Sequence, residues 1–170
     1  LAGGGDATFT YDASSDSFTY SGTVNSAAEV SNLVADLTPS AGETNTLTIE
    51  GPSGDVLDVN VDSAGNVTEA SSGDTLYYNQ TTGNLTENNT SDSTLANISD
   101  IVTYMTTAAS TAGDTTIRDG STNYISSGVA NQFDVENATI SSAELESRME
   151  TIGGSLGWDI DVVGDGSGAT

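Results

Sequence analysis

The side chains best placed for chemistry in this sequence are acidic. Asp58, Asn60 and Asp62 stand at alternate positions, with Glu69 at the twelfth residue of the run. That spacing echoes an EF-hand calcium loop, in which oxygen ligands and a final glutamate wrap a hard cation. The sixth position of such a loop needs glycine for its sharp turn; here it is Ser63, and glycine is delayed to Gly65. Leu57, Val59 and Val61 alternate with the polar residues, so a half-solvated strand accounts for the pattern better. Asp159, Asp161 and Asp165 invite the same calcium reading, and their alternation with Ile160 and Val162 gives the same answer. Paired carboxylates could act as glycosidase acid and base, but among 25 acidic residues no pair is singled out by position. The expectation is a protein that is not an enzyme, with no catalytic, cofactor-binding or metal residues and no cofactor.

The residue types that are missing narrow the chemistry further. The sequence has no Cys, His or Lys, which removes disulfides, thiolates, imidazole bases, Schiff bases and phosphate loops of the Walker type. Its only bases, Arg118 and Arg148, leave a formal charge of -23 over 170 residues. Nothing is available to displace counterions from phosphates, so neither nucleic acid nor an anionic membrane is expected as a partner. Charged residues make up only 16% of the chain, so the imbalance reflects missing bases, not long acidic runs, and an ordinary core is expected. Ser and Thr supply 48 residues, a composition suited to solvated strands and turns. No apolar run approaches the ~20 residues of a membrane span, and no basic segment follows Leu1, so no signal peptide is expected.

Two surface chemistries remain. Asn-x-Ser/Thr acceptor patterns occur at Asn66, Asn79, Asn84, Asn88, Asn89, Asn97 and Asn137, a mild enrichment that Ser/Thr richness largely explains. Phe9, Tyr11, Phe18, Tyr20, Tyr77, Tyr78 and Trp158 could form a glycan platform, but their alternation within hairpins fits cross-strand packing better.

The elements that position these residues are short. Residues 8 to 20 alternate around a polar turn and read as a hairpin, with Phe9 and Tyr11 on one strand and Phe18 and Tyr20 on the other. Ser26 and Glu29 have the spacing of a capping box, and Val30, Leu33, Val34 and Leu37 form one helical stripe that Pro39 and Gly42 stop. Strands follow at 46 to 50 and 55 to 62, with Leu57, Val59 and Val61 on the face opposite Asp58, Asn60 and Asp62. A hairpin from Thr75 and a helix around STLANISDIVTYM repeat this order at an offset of about 67 to 68 residues, with Ile98, Ile101, Val102 and Met105 as the second stripe. A hairpin turning at Asp119-Gly120, a strand QFDVENATI and a third helix come next. That helix is capped by Ser141 and Glu144, carries Leu145, Met149 and Ile152, and stops at Gly153. GWDIDVV is expected to form a last strand.

The fold class is therefore α+β, with antiparallel β-hairpins and three short amphipathic helices arranged as two similar subdomains. The first spans 1-72, the second spans 73-163 with the third helix and final strand, and 164-170 is a flexible tail.

The run TFTYDASSDSFTYSG, the helix AAEVSNLVADLTPSAGET and the segment GDVLDVNVDSAGNVTEASSGDTLYYNQTTGNLTENN together resemble the outer hypervariable domains of bacterial flagellins. Tyr11, Phe18, Val61, Asp62, Gly65, Tyr78, Gly83, Asn84, Leu85 and Thr86 carry the likeness, which covers residues 6 to 105. Lysines are usual in those domains and absent here, as are the long heptad-patterned helices that build a flagellin's filament core. The resemblance implies a non-enzymatic extracellular domain on the surface of a filament or particle, in contact with copies of itself or neighbouring outer domains. Its exposed turns at 12 to 17, 52 to 54, 62 to 66 and 79 to 84 would carry that role. The alternative is an extracellular binding or decoration module, such as an adhesin, viral fibre or capsid decoration protein, using calcium or glycans.

Overall fold

The computed structural model describes residues 7–52, 54–79, 85–87, 93–107 and 115–154. Chain order is β1 (Thr8–Asp12), β2 (Ser17–Val24), α1 (Ala27–Leu37), β3 (Thr44–Glu50), β4 (Val56–Asp62), β5 (Val67–Glu69), β6 (Leu76–Tyr78), β7 (Leu85–Glu87), β8 (Ser93–Leu95), α2 (Ile98–Met105), β9 (Thr116–Asp119), β10 (Thr122–Ser126), β11 (Phe133–Ser141) and α3 (Ser142–Gly154). The α+β class, the antiparallel pairing and the three short helices agree with the sequence reading.

Period-two patterning dictates which side of each strand is buried. Leu47 and Ile49 on β3, Val59 and Val61 on β4, and Ile117 on β9 are buried, while Asp58 and Asp62 on the opposite side of β4 are exposed. The helical stripes enter the same core cluster: Leu33 and Leu37 are fully covered, Val30 and Val34 partly, and Ile98, Ile101, Val102 and Met105 are all buried. Each such aliphatic side chain contributes about 1.5–3 kcal/mol on leaving water. Both early helices have side-chain caps. Ser26 accepts from Glu29 N, and Asn97 forms a complete capping box with Asp100.

Eight strands join in the order β1-β2-β11-β10-β9-β3-β4-β5, and β7-β6-β8 make a second sheet. Strands from before and after residue 72 thus share the large sheet. Within it β3 meets β9 with Thr48 opposite Arg118, Ile49 opposite Ile117 and Glu50 opposite Thr116. The pairing of β2 with β11 shifts register between Val135 and Ala138, where Asn137 takes a φ of 56°. This bulge keeps Ala138 and Ile140 on the core side with Phe133 and Val135.

One boundary needs correction. The second helix begins at Ile98, and Ser93–Leu95 is a strand that pairs with β6, Leu95 opposite Leu76. Leu95 stands three residues before Ile98, which continues the helical stripe in the sequence, but its burial comes from the sheet. The expected strand at 158 to 162 and the tail lie outside the described residues.

Candidate functional surface

Because every neighbouring pair in the large sheet is antiparallel, the strand order fixes which turns come together. The turns at 12–17, 62–66 and Gly120–Ser121 lie at one end of the sheet, and the connection from β3 to β4 lies at the other; of 52 to 54, Pro52 and Gly54 are among the described residues. Of 79 to 84, only Asn79 is among the described residues.

Two of these turns, and the one after β5, are held by their own carboxylates. Asp12 accepts from Ser14 N and Oγ at 2.9 and 2.7 Å and from Ser15 Oγ at 2.9 Å, bonds that lower its pKa, those from Ser14 most. Asp62 accepts from Asn66 Nδ2 at 2.8 Å and from the amides of Asn66 and Ala64 at 2.9 Å, which lower its pKa in the same way. Bonds from Ser72 and Ser71 hold the Glu69 carboxyl down at about 2. Glu69 is only 6% exposed, yet it is covered by its own polar turn, so hydrogen bonding outweighs desolvation.

The EF-hand-like residues are therefore dispersed. Asp58 accepts from Thr48 at 2.6 Å and Asn60 from Thr46 at 2.9 Å, while Asp62 and Glu69 serve separate turns. Among the described residues no three acidic side chains are grouped to hold a metal ion. Asp159, Asp161 and Asp165 lie outside the described residues.

The aromatic candidates pack on one another. Ring centroids of Tyr11 and Phe18 are 4.9 Å apart, those of Phe9 and Tyr20 5.8 Å, and Tyr20 is buried. Tyr77 belongs to the other sheet, and Trp158 and the Tyr78 side chain lie outside what is described. Of the acceptor asparagines, Asn66 and Asn97 use their side chains in a turn and a helix cap, and Asn137 is exposed on its bulge.

Sequence reasoning missed the strongest polar cluster. Arg148 on α3 bonds Asp36 on α1 at 2.6 and 2.7 Å and Glu144 at 2.5 Å, and lies 3.7 Å from the buried Glu29. Glu29, expected to complete a capping box, also accepts from Asn32 at 3.2 Å. Burial raises the Asp36 pKa against the opposing pull of Arg148. At Arg148 burial acts to lower the pKa, but bonds to Asp36 and Glu144 overcome it and the net shift is upward. The two results are compatible because one guanidinium collects three carboxylates, whereas Asp36 has one cation and two like-charged neighbours. The other base, Arg118, pairs with Glu50 across the β3–β9 seam. The usable signal was scarcity: with two bases among 25 acids, each base was bound to be engaged.

The fold and surface define an acidic α+β unit of antiparallel hairpins whose carboxylates hold its own turns and one helix–helix contact. No family model matches the sequence. Over 106 residues, 61% of its length, the chain is 38% identical to a flagellin of Escherichia coli O127:H6 (strain E2348/69 / EPEC). The chain is thus related to a flagellin over part of its length, and the match covers 18% of that protein.

Proposed function

We propose that the chain is a non-enzymatic structural domain exposed on a flagellin-type filament, corresponding to the outer, variable part of such a protein. The observation that carries this reading is the 38% identity to a flagellin over a stretch amounting to 18% of that protein's length. In this reading the domain is extracellular, neighbouring copies are its partners, and its acidic surface is an adaptation to salt. The turns at 12–17, 62–66 and Gly120–Ser121, which share one end of the sheet, face outward in this reading.

The halves 1–72 and 73–163 are proposed to be related units. In support, a hairpin, a helix and a second hairpin recur in order, and Ile49 and Ile117, which face each other across β3–β9, are equivalent positions at the repeat's offset of about 68 residues.

The test uses the absence of cysteine. Ser15→Cys in the full-length protein of the producing cell places a thiol at the proposed outer end, where these 170 residues have none, and the parent filaments serve as the labelling control. Maleimide labelling should decorate filaments along their length. Unlabelled filaments, with the variant present in the cell, would remove the reading.

A further inference from the structure

A cavity of about 270 Å³ lies beside the Arg148 cluster, between β2, β10, β11 and the two helices α1 and α3. Its wall includes Tyr20 and Tyr124, which are 6% and 8% exposed. Among the described residues neither hydroxyl has a hydrogen-bond partner. Both hydroxyls open onto this space rather than being sealed in the core, so whatever fills the cavity, water or a polar ligand, supplies their hydrogen bonds. Burial pushes the Tyr20 hydroxyl up to about 12 and raises Tyr124 as well, so both stay neutral and can accept hydrogen bonds at ordinary pH.

Charge selects the occupant. Asp36, Asp119 and Glu144 line the cavity and Glu29 stands behind it, against the single guanidinium of Arg148. Arg148 is already engaged by Asp36 and Glu144, which disfavours an anion. The carboxylates are spread around the wall and, among the described residues, do not converge on a point as ligands of a metal ion do. A compact organic cation with several donors fits instead: Asp119 and the tyrosine hydroxyls supply acceptors, while the two rings and Ile140 supply an apolar wall for an alkyl stem. The chain has no lysine, so none of its own side chains supplies such a group.

We propose that this cavity binds a primary alkylammonium group from outside the chain, held between Tyr20, Tyr124 and Asp119. The group can belong to a free aliphatic diamine or to a lysine side chain on a neighbouring molecule.

Isothermal titration at fixed ionic strength with 1,4-diaminobutane and, separately, Nα-acetyl-lysine amide tests this. One saturable site is expected for at least one amine, and the tighter of the two identifies the source. Tetramethylammonium, which has no N–H to donate, should not compete. Tyr20→Phe and Tyr124→Phe keep their rings, Asp119→Asn keeps its shape, and circular dichroism confirms which variants are folded. Each folded variant should weaken binding, the Tyr124→Phe/Asp119→Asn pair by about tenfold or more. Heats that never saturate, equal competition by tetramethylammonium, or unchanged affinity in the folded variants would overturn the proposal.

Discussion

Arg148→Met tests the ion cluster that ties α3 to α1. Methionine keeps much of the aliphatic stem, so the change removes charge more than packing. Arg148 is 11% exposed and Glu29 3%, while Asp36 and Glu144 reach water at 34% and 48%. Removing one partner of a fully buried pair costs about 3–5 kcal/mol. Here only Glu29 is deeply buried, and it keeps its bond from Asn32, while the other two carboxylates are screened, so about 2–3 kcal/mol is expected at neutral pH. The loss should depend on pH with a definite sign. Asp36 has its folded-state pKa raised by burial, so its contribution to stability is fully present below its ordinary value of 3.8 and is lost as pH rises through the folded value. Without Arg148, which pulls that value down, the rise is larger. The deficit of the variant should therefore grow with pH and shrink toward pH 4. Urea melts followed by circular dichroism at several pH values measure it. A deficit that does not change with pH would show that Arg148 acts through packing, and the electrostatic account would fail.

Four further outcomes are expected. Leu37→Ala, at a position with 0% exposure, should cost about 2–5 kcal/mol, read as a lower urea midpoint at an unchanged slope. Asn97→Ala removes the side-chain half of the α2 capping box and should cost about 1 kcal/mol by the same melts. For Glu69, whose pKa is lowered to about 2, the contribution is present above its ordinary value of 4.5 and disappears as pH falls through the folded value; Glu69→Gln and the parent protein should therefore converge in stability toward pH 2. Thermal melts should show rising stability from low salt to about 1 M, because screening relieves repulsion among unpaired surface acids; a fall would mean that the acids are mostly paired.

Local signals in the sequence located most elements. The stripe of Leu33 and Leu37, the Ser26 cap and the alternation of Val59 and Val61 depend on neighbours within one turn or one strand, and each appears in the structure. Ser93–Leu95 went astray because its strand state depends on β6, about 17 residues away, and a Ser-Thr-Leu run has no strong preference of its own. The Arg148 cluster was hidden for the same reason: Asp36 lies 112 residues from its partner. Glu29 illustrates the conflict directly. Its spacing from Ser26 fits a local cap, but burial beside Arg148 places its carboxylate in a tertiary contact. The turns were legible as turns, whereas their sorting to opposite ends of the sheet follows from strand order, which no local pattern specifies.

The seam between β2 and β11 carries a kinetic consequence. Thr23 bonds Asp134 across it, 111 residues apart, whereas β1 and β2 are joined by a four-residue turn. Bringing together ends that far apart costs about 3 kcal/mol more in loop entropy than closing such a turn. Hairpins such as β1–β2 and β9–β10 should therefore form on the microsecond scale, while the large sheet waits for β11. Until β11 arrives, β2 is an open edge, and the time it stays open sets the window in which unfinished chains can pair with one another.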